Sequence, residues 1–151
     1  MDANPKQPNY MASVGKLFTS TIISILFEKG ELSFDDSISK YLGDELLDGL
    51  HVYKGKDYTD HIKIKHLLKQ TSGLPENFWP LLEDLFEDPN FKISPREAII
   101  WAKDNSETEC PPGKEVNYTD TNYHLLGLII ENITDVYPAG RRATSFIPAR
   151  S

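Results

Sequence analysis

Cysteine is nearly absent: Cys110 stands alone in 151 residues, so no internal disulfide can form and a cysteine-based zinc site is excluded. Arginine is scarce too, with Arg96 the only one before residue 141. Basic residues number 16 against 23 acidic ones, giving a formal net charge of -7 and a pI near 5.0. That balance argues against nucleic acid as a partner, since phosphate recognition needs a concentrated basic surface. It argues equally against an anionic membrane surface. No long apolar run is present. The most apolar stretch, Ile22-Ile23-Ser24-Ile25-Leu26-Phe27, is far too short to span a bilayer. Met1 to Lys6 hold no apolar core of a signal peptide, so the expectation for the chain as it stands is the cytoplasm. The four histidines, His51, His61, His66 and His124, show no metal-ligand spacing and read as scattered surface or loop residues. No metal and no cofactor is expected. Alternating apolar and polar runs bounded by hairpin turns are also missing, which predicts a chain that is mostly α-helix and loop.

What is present suits a folded domain. Hydrophobic residues make up 39% and charged residues 26% of the chain, a globular rather than a disordered balance. A first helix is predicted from Ser13 to Lys29, apolar around most of its circumference through Val14, Leu17, Phe18, Ile22, Ile25 and Leu26. Such a helix belongs in the middle of a protein. Gly30 follows as a residue able to take positive φ and stop it. Ser33 is predicted to cap a second helix through Leu42, and residues 43–60 to form an irregular loop. A short helix is expected from Lys65 to Ser72, closed by Gly73, with a weaker helical period within residues 75–92. Ser94-Pro95-Arg96-Glu97 combines an N-cap, proline at the first helical position and a capping-box glutamate. The last helix starts near Thr119 or Asp120. From Asp135 to Ser151 the hydrophobic period vanishes and Arg141, Arg142 and Arg150 appear. Residues 1–134 therefore read as the folded part, and 135–151 as a disordered or foreign tail, a natural basic tail being the alternative.

Chemistry concentrates at two places. Ser13-Val14-Gly15-Lys16 sets a hydroxyl and an amine three apart at a helix start, where both project from one face. The helix N-terminus favours a developing oxyanion, and burial among apolar residues can lower a lysine pKa toward that of a useful base. Ser-x-x-Lys alone is a common pairing; its surroundings make it specific. Met11-Ala12-Ser13-Val14-Gly15-Lys16-Leu17-Phe18 resembles the nucleophile helix of the serine β-lactamase-like family, which embraces class C β-lactamases, penicillin-binding DD-peptidases and related esterases and D-aminopeptidases. Leu67-Leu68-Lys69-Gln70-Thr71-Ser72-Gly73-Leu74-Pro75 is similar to that family's LLxHTSGLP segment, with Gln70 where His is commoner. Pro111-Pro112-Gly113 through Tyr118-Thr119-Asp120-Thr121-Asn122-Tyr123 is similar to PPGxxFxYSNxNY. The three segments stand in the family's order between about residues 10 and 134.

The resemblance implies a serine hydrolase of amides or esters (β-lactam, D-amino peptide or small ester) working through an acyl-enzyme on Ser13. Lys16 would be its base or electrostatic activator, and Tyr118 would shuttle the proton to the leaving group. Asp120 stands where the family usually has an Asn that contacts the lysine and the substrate. An ionised Asp cannot donate to a substrate carbonyl, and beside Lys16 it would raise the lysine pKa and make a poorer base. In isolation, Asp120 or Thr119 would read as a helix cap and Tyr118 as a packing or surface aromatic. Cys110 reads as structural, Gly73 and Gly113 as positions of special φ, and Glu83, Asp84, Glu87 and Asp88 as a solvated face.

The resemblance implies the helical part of an α/β β-lactamase/transpeptidase fold, with the main sheet largely missing and no Lys-Thr-Gly-type strand after Thr134. That strand supplies one oxyanion donor in the family, and losing such a donor costs roughly 10²–10³ in rate. Leu17, Ile22 and Phe27 would then be left as exposed apolar surface, open to self-association. The expected partner is a small-molecule or peptide substrate. The alternative is a catalytically inactive truncated fragment or a helical interaction module.

Overall fold

In the computed structural model, which describes residues 6–7, 11–88 and 90–134, Ser13 lies in a 3-10 turn (Ala12–Val14) that runs straight into helix α1 (Gly15–Glu28). The tail read from sequence at 135–151 lies outside the described residues. Gly30 takes φ +74°, and the amides of Gly30 and Glu31 return to the carbonyls of Phe27 and Leu26, closing α1 as its sequence predicts.

The helix predicted after Ser33 does not form. Besides local turns, the backbone there bonds to a distant segment: Ile38 N donates to Ile62 O at 3.0 Å, Ile64 N to Asp36 O at 3.1 Å and Lys65 N to Phe34 O at 3.0 Å. Only a 3-10 turn (Ile38–Lys40) remains, capped by Ser37. The expected irregular loop contains helix α2 (Asp44–Leu47) and a small hairpin of β1 (Val52–Tyr53) and β2 (Lys56–Asp57), with Val52 opposite Asp57. Its turn puts Lys54 and Gly55 at φ +50° and +78°, the primed geometry that matches strand twist. Lysine at the first turn position hid this hairpin from a reading that looks for Asn-Gly or Asp-Gly.

Helix α3 (Ile64–Leu68) stops earlier than predicted because Gln70, not Gly73, is the first residue to turn left-handed, at φ +58°. Helix α4 (Phe78–Glu87) follows, then α5 (Pro95–Asn105), with its capping box closed in both directions between Ser94 and Glu97. Helix α6 (Asp120–Thr134) ends the described chain and packs against α5, α1 and α3.

Leu125, Leu126 and Ile129 of α6 are fully buried at the centre of one core with Ile23, Ile64, Leu67, Leu74 and Ile99. The first helix buries one face only, which departs from a place in the middle of the protein but bears out the expected exposure of Leu17 and Phe27; Ile22, expected to be exposed, packs half-buried against the core instead. The helix buries Ile23 and Leu26, while Leu17 is 66% exposed and Phe18 53%. Ile25 and Phe27 are also exposed, although Phe27 stacks on Phe34 at 4.2 Å.

Three of the histidines depart as well, whereas His61 is exposed as expected. His51 is fully buried, and burial holds the imidazoles of His51, His66 and His124 below the ordinary value of 6.5. Their folded pKa lies under the unfolded one, so the stability they contribute is complete above pH 6.5 and is lost as pH falls through the folded values. Asp36 adds a second step. Hydrogen bonds from Tyr41, Lys40 and the Ser33 amide hold it at about 2, so its contribution is lost between 3.8 and about 2. Urea denaturation as a function of pH is expected to show both declines; a midpoint constant from pH 7 to pH 5 would contradict the histidine assignment.

Candidate functional site

Three separate segments bring the sequence-selected side chains together. The turn into α1 presents Ser13 outward, and Lys16, one turn on, reaches back so that Nζ lies 3.3 Å from Ser13 Oγ. The extended stretch before α6 carries Tyr118, whose hydroxyl donates to Ser13 Oγ at 2.8 Å. The first residue of α6, Asp120, accepts from Lys16 Nζ at 2.5 Å. Ser13, Lys16, Tyr118 and Asp120 thus form one cluster, although Lys16 and Tyr118 lie 102 positions apart in the chain.

Electrostatics run against the simplest reading of the lysine. Burial acts to lower the Lys16 pKa, but hydrogen bonding and charge from Asp120 and Tyr118 outweigh it, and the amine is held above its ordinary value. Lys16 is therefore an ammonium at neutral pH, as the Asp at position 120 led the sequence to predict, and not the lowered-pKa base that apolar surroundings alone would give. Its charge sits 4.9 Å from the Tyr118 ring centroid and 5.6 Å from that of Tyr123, whose hydroxyl pairs with Ser20 at 3.0 Å. Ser13 Oγ accepts from two donors in this state.

What holds the three segments in register was only partly visible beforehand. Gln70, strained at positive φ, is the central clamp. Its backbone carbonyl accepts from Asn117 N at 2.8 Å, and its side-chain oxygen accepts from Thr119 N at 3.1 Å and from Asn122 Nδ2. An amide oxygen with two lone pairs takes both donors, whereas a neutral imidazole offers a single acceptor nitrogen. That difference gives Gln70 a physical reason to stand where His is commoner. Ser72 donates to Asn122 at 2.5 Å, and the hydroxyls of Thr119 and Thr121 both donate to Pro75 O at 2.9 Å. Ser72, Pro75 and Asn122 lay inside the two similar segments, but nothing in their residue types singled them out.

His51 and Cys110 anchor the same loops from behind. His51 Nε2 lies 3.0 Å from Cys110 O, and Gly73, at φ +76°, is pressed against that carbonyl. Gly113 takes φ +81°. The buried Cys110 thiol is pushed up by desolvation, which keeps it protonated and inert, as its lack of basic neighbours predicted. Among the described residues no three His, Cys, Asp or Glu side chains gather as metal ligands would, and no helix is long and apolar enough to cross a membrane.

A family model described as Beta-lactamase matches residues 2–147. Protein flp of Staphylococcus aureus is 35% identical over 132 residues, which are 87% of this chain and 24% of that protein. Penicillin-binding protein 4* of Bacillus subtilis is 30% identical over 142 residues, covering 92% of this chain and 28% of the relative. Among solved structures, a D-stereospecific amidohydrolase from Streptomyces sp. superposes with a TM-score of 0.71 at 27% identity, over 84% of this chain and 37% of that one. The chain thus spans about a quarter of the length of the curated relatives it matches.

Proposed function

The chain belongs to the beta-lactamase family, and from that membership we propose that it carries the nucleophile of a serine hydrolase acting on an amide or ester through an acyl-enzyme on Ser13. The observation that carries the reading is the position of Ser13 Oγ, within hydrogen-bond reach of both Lys16 Nζ and Tyr118 Oη.

Because Lys16 is held protonated, the proton acceptor in this scheme is the Tyr118 oxygen once its own proton has left to solvent, with the Lys16 ammonium 4.9 Å from the ring stabilising the resulting phenolate. Ser13 Oγ attacks the carbonyl carbon as its proton passes to the phenolate. The tetrahedral oxyanion then collapses, breaking the bond to the leaving amine or alcohol, which takes the proton from Tyr118. Water hydrolyses the ester on Ser13 by the reverse relay, with no external oxidant or reductant. Asp120 would orient Lys16 and lie against the substrate, its carboxylate being unable to donate to a carbonyl oxygen. The names of the relatives, a penicillin-binding protein and a D-stereospecific amidohydrolase, favour a penicillin-like or D-configured amide substrate, and Asp120 tilts the chemistry toward an ester or peptide over a β-lactam.

Intact-protein mass spectrometry after incubation with a fluorescent penicillin and with a fluorophosphonate tests this. A mass gain lost completely in Ser13→Ala is the expected result; a label that survives in that variant would sink the proposal.

A second reading rests on the exposed Leu17, Phe18, Ile25 and Phe27 of α1: an inactive chain that self-associates through this face. It would give no Ser13-dependent adduct and a solution mass that rises with concentration.

A further inference from the structure

One turn along α6 from Asp120, His124 packs beside a fully buried asparagine from the segment leading into α4. Asn77 Nδ2 lies 3.2 Å from the Ala98 carbonyl of α5 and 3.4 Å from His124 Nδ1. A carbonyl can only accept, so the amide must turn its NH₂ end toward Ala98. The second hydrogen of that group then faces His124. Nδ1 is therefore an acceptor, and the imidazole is neutral with its proton on Nε2. Asn77 Oδ1 is left buried with no hydrogen-bond partner among the described residues, so it exerts no competing pull on the amide's orientation. The segment bearing Asn77 is tied to the start of α6 through Pro75 O, which takes both threonine hydroxyls.

We propose that His124 is a positioning residue for the Lys16–Asp120 pair: held neutral by Asn77, it leaves the carboxylate to Lys16, and on protonation it becomes a second cation beside Asp120 and releases Asn77. The proposal rests on reading Ser13, Lys16 and Tyr118 as the reactive cluster. The charged groups facing the imidazole are Asp120 on its own helix and Lys16 from α1; Asn77 and the Ala98 carbonyl are neutral. Burial holds the ring below its ordinary value, Asp120 pulls it back up and Lys16 pushes it further down. His124, four residues along α6 from Asp120, and Lys16, ion-paired to it at 2.5 Å, thus act on one carboxylate, so the state of either is felt by the other.

The test needs no turnover. In the isotopically labelled full chain, the Asp120 carboxyl carbon and the Lys16 side chain are followed by NMR as the His124 ring is titrated. Both signals are expected to inflect at the His124 midpoint. His124→Asn keeps an acceptor near the place of Nδ1 but cannot titrate, and it should remove the inflection. Asn77→Asp replaces a donor with an anionic acceptor and should raise the His124 midpoint by about one pH unit, carrying the inflection with it. An inflection unchanged in His124→Asn, or a midpoint unmoved in Asn77→Asp, would overturn the proposal. Should His124→Asn fail to fold, the Asn77→Asp midpoint decides alone. Coupling seen by NMR without any Ser13 adduct would leave His124 in its place and remove the acyl-enzyme reading instead.

Discussion

Gly73→Ala is expected to destabilise the protein by roughly 3–5 kcal/mol, enough to unfold much of the population of a marginally stable domain. Two effects combine. The residue sits at φ +76°, where a side chain costs about 1–2 kcal/mol. The added Cβ would also collide with the Cys110 carbonyl oxygen and sit 3.0 Å from His51 Nε2. The obstacle is backbone, and it has little room to retreat: Glu109 N donates to Gly73 O at 2.9 Å, Gly113 N to Thr71 O at 2.7 Å, and His51 Nε2 lies 3.0 Å from Cys110 O. Gly30→Ala is the matched control. It has nearly the same φ, +74°, but open space around the added atom, so only the backbone cost of about 1–2 kcal/mol applies. Urea denaturation followed by circular dichroism separates them. Equal losses in the two variants would show that the contact with Cys110 carries no strain.

Asp120→Asn is expected to raise the rate of Ser13 acylation near neutral pH and to move the limb that rises with deprotonation of Lys16 to lower pH. Lys16 is desolvated, which alone would lower its pKa, and it stays above the ordinary value because Asp120, which carries the opposing charge, and Tyr118 outweigh that burial. Removing the carboxylate deletes the larger of those two supports. The Lys16 pKa therefore falls, and in the variant the neutral amine, 3.3 Å from Ser13 Oγ, takes over from Tyr118 as acceptor of the Ser13 proton. Each unit of that fall enlarges the amine fraction about tenfold at a fixed pH below the pKa, so a gain of roughly tenfold in labelling rate is the expected scale. The asparagine also restores a donor for a substrate carbonyl. Stopped-time labelling across pH measures it. A rate that drops, with the limb unmoved, would mean that the Lys16 ammonium is needed as a charge and that Asp120 protects it.

Both expectations draw on features of unequal visibility in the sequence. The Ser94 capping box, the Gly30 stop and the start of α6 were legible because each is a local matter of caps and φ. The second helix was misread because its Ser and Asp residues offer caps, while Ile62 and the segment after it, more than twenty residues away, supply the backbone partners that win. Ser13, Lys16, Tyr118 and Asp120 were found because short segments carried them in a recognisable order. Gln70, Ser72, Asn77 and His124 were passed over as functional residues for a physical reason: a buried amide or imidazole acquires meaning only from neighbours that the chain delivers from elsewhere. Lys16 shows both halves at once. Its contact with Asp120 was anticipated, yet the balance between burial and pairing could be decided only with distances in hand.

The uncovered side of α1 bears on the aim of the nucleophile. Ser13 and Lys16 ride at the start of the same rod whose Leu17 and Phe18 stand open, and inner contacts through Ile23 and Leu26 grip it farther along. A side-chain oxygen lies about 5 Å from a helix axis, so a roll of about 10° would swing Ser13 Oγ by roughly 0.9 Å. Misplacement on that scale is worth about a hundredfold in rate. A surface resting on Leu17 and Phe18 would act as a rotational stop, setting the bearing of the Ser13 hydroxyl from a distance.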